Sequence, residues 1–585
     1  MSKSHGQNRG RSSRSGNQGK NFSQKRKPPE TSRQALKLIP LGGMEEMGKN
    51  MWAIEQENDI LIMDMGSQMP DSDQPGVDLL IPNTNYLADN ADKIRGVVFT
   101  SGNPDHIGSA PYILSMFPNL KLFATEATFA ILESRHNFYS RKIQYKKHIL
   151  KDGKATRVGS FKVTPFTVGY NTPGAIGVCI NTMQGKVFYV SSFKFDVSEG
   201  HTPEWLESVK YLAGSDTFAL LSGSVAAEAE GYAPTEQEIG AKIQEICSNP
   251  NGTTYISTHP SLLNRLQQII DAAEALDKHV FIEGKSILNT FNTARKKGLI
   301  KVQRGTIISP TLIEETPKHK LIVIVAGAQG DDVPHLMRMA NREHGSFVIE
   351  EGDVVAYPED LVPGNMRSVQ KVNDNFSKLG ALVLHYRPLG IQHSAHARRE
   401  EVLGLLKAVR PKYFIPINGP HYLLRTAADM AIDGGYPDKN AIVGKNGRVI
   451  LFDYKHRKMT PETVPSYDIM VDGLGVGDLK DVVIRDRQLM AGDGILNLVL
   501  IIDEQDRKIV EGPDIVSRGF VDVDKSNRLF EEVNKNVGMI VESILADAQE
   551  VNASYIRDEL RDQVGKFLFA KTERRPMILP VVVLV

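Results

Sequence analysis

A change of pattern partway along the chain restricts its architecture more than any other feature. From about Leu36, short apolar strands separated by polar turns dominate. Asn50–Glu55 and Ile60–Asp64 are joined by Gln56-Glu57-Asn58-Asp59, and Cys179–Met183 meets Lys186–Val190 across Gln184-Gly185. After about Ala233 helix and strand alternate. Thr235 with Glu238 is a capping-box pattern opening a helix to Cys247. Thr253–Thr258, His279–Glu283 and Leu321–Val325 read as strands, with a helix over Leu262–Leu276. Such alternation requires a parallel sheet covered by helices, because crossover connections lay helices on its faces.

From about Gly380 the expected elements are a strand at Ala381–His385, a helix at Arg399–Val409 and a strand at Tyr413–Ile417. Pro461 and Pro465 mark a linker within Lys455–Ser466. Beyond it, strands are expected at Asp468–Val471, Val482–Arg485 and Leu496–Ile502. Two helices follow, the first carrying Leu529, Val533, Val537, Ile540 and Ile544 on one face. The terminal Met577–Val585 reads as a buried final strand.

At 585 residues the chain exceeds one hydrophobic core and implies several domains. No run of eighteen apolar residues occurs, so no membrane span or membrane partner is expected. Cys179 and Cys247 are the only cysteines, which excludes a disulfide framework and a multi-thiolate zinc site. With no secretory pattern at the N-terminus, the expected location is cytoplasmic. Residues 1–33 carry nine basic side chains against Glu30, a net +8, which leaves the remainder at −8. That tail is rich in Ser, Gly, Asn and Gln, so it suits either salt-sensitive contact with RNA phosphates or plain solubilisation.

The densest chemistry lies in Val97–Pro111. An apolar strand runs into Thr100-Ser101-Gly102-Asn103-Pro104-Asp105-His106-Ile107-Gly108, after which a helix begins. Asp105 and His106 are candidates for metal ligation. The plain alternative is that Asp105 caps the helix and the imidazole bonds to a neighbour. Gly284-Lys285-Ser286 lacks the first glycine of a phosphate loop, which argues against nucleotide hydrolysis, and no nucleophile-elbow pattern appears.

That stretch resembles the metallo-β-lactamase loop His-x-His-x-Asp-His with its two leading histidines replaced. Across Leu36 to Val585 the chain resembles the ribonuclease J family of bacterial RNA-processing nucleases. The matching phrases include Gly48-Lys49-Asn50-Met51, Gly76-Val77-Asp78-Leu79-Leu80-Ile81-Pro82 and Phe193-Lys194-Phe195-Asp196. Further on are Arg410–Pro416, Val471–Asp478 and Arg574–Pro580. The resemblance implies an α/β chain built from a metallo-β-lactamase αββα sandwich, an inserted β-CASP domain and a C-terminal α/β domain. The expected divisions are a basic tail at 1–34, sandwich at 35–233, β-CASP at 234–379 and sandwich again at 380–454. A linker at 455–467 and an assembly domain at 468–585 complete the chain.

Such nucleases hold two divalent metals, Zn or Mn/Mg, which lower the pKa of bound water and stabilise charge on the phosphate. Carried over position by position, the first two ligand histidines fall on Ser101 and Asn103, and the Asp-His pair on Asp105 and His106. The next histidine falls on Tyr170, the bridging aspartate on Ser192 and the last histidine on Asn418. Two remaining ligands would hold at most one weak Mg²⁺ or Mn²⁺, so no tightly bound cofactor is expected. The family's Asp-Ser-Thr falls on Gly223-Ser224-Val225, and its Thr-Gly-Ser-Gln-Gly loop on Ala326-Gly327-Ala328-Gln329-Gly330. Its His-Val-Ser-Gly-His segment falls on Gln392-His393-Ser394-Ala395-His396, the expected substrate-binding residues. Of these, His396 is read either as a vestigial catalytic contact to the scissile phosphate or as a satisfied buried histidine.

Three functions compete on this reading. A weak or inactive subunit would pair with an intact ribonuclease J, assembling as a homodimer or hetero-oligomer through the C-terminal domain and acting in rRNA maturation and mRNA turnover. An active metal-dependent 5′-to-3′ exoribonuclease or endoribonuclease would use a reduced site. A scaffold of an RNA-degradation complex would touch RNA only incidentally. The resemblance within the family is to the paralogue with a degenerate metal motif, which favours the first.

Overall fold

The computed structural model describes residues 35–71, 73–138, 143–326, 333–359, 366–391, 395–453, 457–478, 481–522, 526–548 and 550–585. Two mixed sheets face each other. The first runs, edge to edge, Arg457–Thr463, Arg448–Phe452, Leu36–Gly42, Met51–Gln56, Asp59–Met63, Ile94–Val98, Leu120–Ala124 and Tyr145–Ile149. The second runs Tyr413–Ile417, Thr217–Gly223, Gly185–Val190, Ile176–Thr182, Phe161–Thr167 and Thr156–Val158.

Both faces of the inner strands are covered, so their apolar residues run continuously instead of alternating with polar ones. Trp52, Ile54, Leu61 and Val98 meet Phe161, Val178, Val187 and Leu221 between the sheets. Met51, Ala53, Ile60 and Ile62 look outward into a second cluster containing Tyr112, Ile113 and Phe129. Helices Glu204–Ala213 and Arg399–Val409 cover the other outer face through Leu206, Val209, Val402 and Leu405. The αββα sandwich expected from the resemblance is therefore present.

Between the two sandwich segments lies a five-stranded sheet with all pairings parallel. Its order is His279–Glu283, Leu321–Val325, Thr254–Ser257, Val354–Tyr357, Leu382–His385. Helix Glu236–Cys247 opens with the expected box, Thr235 accepting from Glu238 N and Glu238 from Thr235 N. Strand Leu382–His385 pairs with Val354–Tyr357, so it belongs to this middle sheet and not, as expected, to the second sandwich segment. Local pattern marks a strand there but cannot say which sheet takes it.

Two further expectations change near the linker. Arg457–Thr463 is a strand pairing antiparallel with Arg448–Phe452, which replaces the expected linker with a sandwich edge. Val482–Arg485 is helical, inside Asp481–Asp493. Its β-branched run has only Ile484 buried among the described residues, and Arg487 ties the helix to Asp472 and to the Pro75 carbonyl instead. Tertiary contacts override strand propensity at that point. Beyond, Lys508–Arg518, Ile495–Asp503 and Met577–Leu584 form a sheet backed by helices Asn527–Asp547 and Ala553–Thr572. The final strand is present as expected, at the sheet's edge, but burial holds for one face: Ile578 and Val582 are inside, while Val581 and Val583 are exposed.

Parallel pairing aligns the carboxyl ends of several strands at one rim of the sandwich. Asp59–Met63 beside Ile94–Val98 brings out Asp64 and Thr100 together, and Gly185–Val190 ends at Ser191-Ser192. Tyr413–Ile417 ends at Asn418, and Thr254–Ser257 of the middle sheet ends at Thr258-His259 on the facing side.

Candidate functional site

His106 sits at the centre of this rim, fully buried in the short helix Pro104–Ile107. Its Nδ1 lies 2.8 Å from Asp64 Oδ2 and 3.1 Å from Thr100 Oγ1. Its Nε2 lies 2.9 Å from Ser192 Oγ and 3.3 Å from Asp105 Oδ2. Each ring nitrogen therefore faces an acceptor. Burial alone would depress the imidazole pKa, but the charges of Asp105 and Asp64 reverse this and raise it to about 10. Burial would likewise lift the Asp105 carboxyl, but the charge of His106 and then of His396 hold it below the usual carboxylate range.

Asp64, the residue just after the strand Asp59–Met63, adopts a left-handed backbone with φ 59°, a region Asp tolerates better than most residues. Its carboxylate accepts from Thr100 N at 2.7 Å, from Thr100 Oγ1 at 2.8 Å and from Tyr189 Oη at 3.2 Å. Close backbone approach fixes the loop from below. Asp105 O accepts from Asn50 N at 3.1 Å and from Asn50 Nδ2 at 3.0 Å. A Cβ on Gly66 would stand 1.8 Å from that oxygen, so only glycine fits.

The replaced positions are engaged with one another. Asn103 Nδ2 donates to Tyr170 Oη at 2.9 Å, while Asn103 Oδ1 accepts from Thr172 Oγ1 at 2.6 Å and from Ser261 Oγ at 2.9 Å. Ser261 lies in the middle domain, so this amide spans the seam between the two. Asn264 Nδ2 donates to Tyr170 O across the same seam at 3.3 Å. Tyr170 is held neutral, its phenol pKa pushed up by burial and by the Asp105 charge. Ser101 is buried and its Oγ accepts from Asn103 N at 3.3 Å. Asn418 is buried in a left-handed conformation, φ 55°, with its Nδ2 unpartnered. His396 is half-buried, its ring centroid 5.8 Å from that of Tyr170.

The expectation that Asp105 caps the helix is corrected: the N-cap is Asn103, which makes no capping side-chain bond, and Asp105 lies inside the first turn. The other half of that reading stands, since the imidazole is bonded on both sides. Ala395 and His396 sit before helix Arg399–Val409, with Ala397 N donating to Phe193 O at 2.7 Å. Gln392, His393, Ser394 and the loop 327–330 lie outside the described residues. Ser224, from the eroded substrate motif, donates to the Ile417 carbonyl at 2.9 Å and so serves the fold.

Sequence reasoning missed Asp64, Thr100, Tyr189, His259 and Ser261. A signal existed for Asp64 and His259, because each ends an apolar strand of a parallel pair, where ligand-facing residues collect. The His259 pKa is lowered to about 4, chiefly by burial and then by the Arg135 charge. Its Nδ1 accepts from Ser261 N at 3.2 Å.

A divalent cation at the family's positions would have to be held by these side chains. Only Asp105 and His106 among the seven are ordinary ligands; with Nδ1 of His106 held by Asp64, Nε2 is the atom that would ligate, and beside it at 2.9 Å stands Ser192 Oγ where the family has its bridging carboxylate. The Asn418 amide can offer a cation only a neutral carbonyl oxygen, a weaker ligand than the imidazole at that position in the family. These donors do not fit a binuclear centre.

Elsewhere, Glu283, His335 and His344 converge in the middle domain, with the two Nε2 atoms 3.8 and 3.7 Å from Glu283 Oε1. His344 Nδ1 accepts from the Ser346 and Phe347 amides, both at 3.2 Å, and His335 Nδ1 accepts from Arg338 at 3.1 Å. With Nδ1 accepting, the proton of each neutral ring sits on Nε2, the atom a metal would need. This trio therefore reads as a carboxylate facing two N–H groups.

The two-layer sandwich, the parallel sheet set into it and the histidine–carboxylate rim between them define a metallo-β-lactamase protein carrying a β-CASP domain. Comparison with known families agrees. Residues 74–213 match the beta-lactamase superfamily domain, 251–376 the ribonuclease J beta-CASP domain and 482–585 the ribonuclease J C-terminal domain. Ribonuclease J2 of Bacillus subtilis is 31% identical over 94% of this chain and 98% of its own length. Ribonuclease J 2 of Staphylococcus epidermidis is 32% identical over the same shares. The chain belongs to the ribonuclease J family. A crystal structure of an Enterococcus faecalis protein of unknown function superposes with a TM-score of 0.51 at 14% identity, covering 72% of this chain and all of that one, a likeness of fold alone. Among the described residues no helix is long and apolar enough to cross a membrane.

Proposed function

We propose that this chain serves cytoplasmic RNA processing and decay mainly as a catalytically weak or inactive subunit, paired with an intact ribonuclease J. The observation carrying this reading is the donor set at the seven ligand positions, where only Asp105 and His106 can hold a cation. A water nucleophile must be activated by a cation with open coordination positions. Here a serine, Ser192, stands beside His106 Nε2 in place of a bridging carboxylate, and Asn103, which would have to contribute a ligand, is committed to Tyr170, Thr172 and Ser261. Asp105, His106 and His396 then act as vestiges that hold charge in balance. No divalent ion is tightly bound, and the RNA fits the seam between sandwich and β-CASP domain without being cut there.

Assembly falls to the C-terminal domain, as a homodimer or with the intact paralogue. Support comes from its final strand, which leaves Val581, Val583 and Val585 exposed at 46%, 44% and 63%. The test is purification of the native complex, separation of its subunits, metal analysis of each and RNA cleavage with and without chelator. The reading expects substoichiometric metal and no chelator-sensitive turnover in this subunit. Two tightly held ions and brisk cleavage by the isolated chain would replace it with an active nuclease of reduced site.

A further inference from the structure

Sheet order places two edge strands, Tyr145–Ile149 of the first sheet and Thr156–Val158 of the second, at the same lateral end of the sandwich, joined by the short loop 150–155. Residues 143–162 hold six basic side chains against one acidic, and that acid, Asp152, is bonded to Thr167 N and Oγ1. Lys147 is matched by Glu133. Lys121, Lys146, Lys151, Lys154, Arg157 and Lys162 are all exposed and, among the described residues, none makes an ion pair. Glu57 lies near Lys162 in a shallow depression.

Register sharpens the case. Lys121 is the direct cross-strand partner of Lys146, and Arg157 of Lys162. Like charges directly opposite destabilise a sheet. Lysines alone would protect an exposed edge against strand addition. Edge protection does not require two such pairs, each extending from an edge strand to the inner strand beside it, Leu120–Ala124 or Phe161–Thr167. A polyanion lying along the edge relieves both.

We propose that this basic end of the sandwich is an accessory RNA-backbone surface, apart from the seam that holds the vestigial site. It rests on the RNA-processing reading above. Lys162 stands eight residues before Tyr170 along one extended segment, about 26 Å at 3.3 Å per residue. RNA held here is thus retained at a distance from the seam, through phosphate contacts that carry no sequence preference.

The test is anisotropy titration of a labelled 30-nucleotide single-stranded RNA against the full chain at several salt concentrations. The quadruple variant K146Q/K151Q/K154Q/R157Q is compared with a control removing the same charge from exposed Lys407, Arg410, Lys439 and Lys445. The basic tail is common to all three proteins. Each lost phosphate contact lowers the slope of log affinity against log salt by about 0.7 for single strands, so the edge variant should lose about 3 and the control almost none. The edge variant should also melt no lower than wild type, since both like-charge pairs lose or dilute a charge. Equal losses in the two variants, or displacement of RNA by polyglutamate as readily as by unlabelled RNA, would overturn the proposal. So would an unchanged edge variant beside a binding wild type, which leaves the RNA reading intact. A wild type that binds no RNA at low salt removes both.

Discussion

Replacing Asn103 with alanine removes the amide that links the sandwich to the middle domain. Three hydrogen bonds go with it: one donated to Tyr170 Oη, and two accepted from Thr172 Oγ1 and Ser261 Oγ. A net hydrogen bond contributes about 1 kcal/mol, which sets an upper figure of about 3 kcal/mol. Two partners can re-pair. Thr172 Oγ1 already lies 3.2 Å from Asn171 Oδ1, and Ser261 Oγ lies 2.8 Å from His259 Nδ1. The expected loss is therefore about 1–2 kcal/mol, mostly from the buried Tyr170 hydroxyl. Denaturant unfolding of N103A, S261A and the double variant forms the assay. The two residues share a bond across a domain seam, so a coupling energy of about 0.5–1 kcal/mol is expected. Additivity within about 0.3 kcal/mol, or an N103A protein as stable as wild type, would refute the reasoning.

Restoring ligands with S101H and N103H should yield neither stoichiometric metal by elemental analysis nor RNA cleavage, because Tyr170, Ser192 and Asn418 remain and the Asn103 bonds are lost. His106 has its folded pKa raised to about 10 from 6.5, so its contribution to stability is complete below about pH 6.5 and fades as pH rises through 10. The urea midpoint should fall across that window in wild type and stay flatter in H106Q. Glu359, raised to about 7 by burial from 4.5, adds a separate decline between those two values, which E359Q should remove. In Gly66→Ala the new Cβ meets Asp105 O at 1.8 Å and Asn50 N at 2.5 Å, so the loop must shift. A loss of about 3 kcal/mol or more in denaturant unfolding is expected.

Much of the fold is legible in local pattern. The capping box at Thr235, the strands His279–Glu283 and Leu321–Val325 and the helix Arg399–Val409 all stand where periodicity and caps place them. Pattern failed where partner choice decided the outcome. Leu382–His385 is a strand in either domain, and only its neighbour Val354–Tyr357 settles which. Val482–Arg485 looks like a strand and is a helix, because Arg487 and Gln488 are drawn to the loop 73–75. Met577–Val585 reads as a buried final strand, and only its place at a sheet edge shows that one of its faces meets solvent.

Residue identity alone determined which groups stand at the old ligand positions: a serine at 101 or 192 cannot offer an imidazole or a carboxylate, whatever the fold around it. What those groups do instead belongs to the tertiary structure. Asp64 lies 42 residues before His106 and Ser192 lies 86 after it, and no local period links them. They meet because parallel strands carry distant segments to a common rim. There, in a buried setting where charges are weakly screened, the imidazole gains acceptors on both sides and keeps its proton.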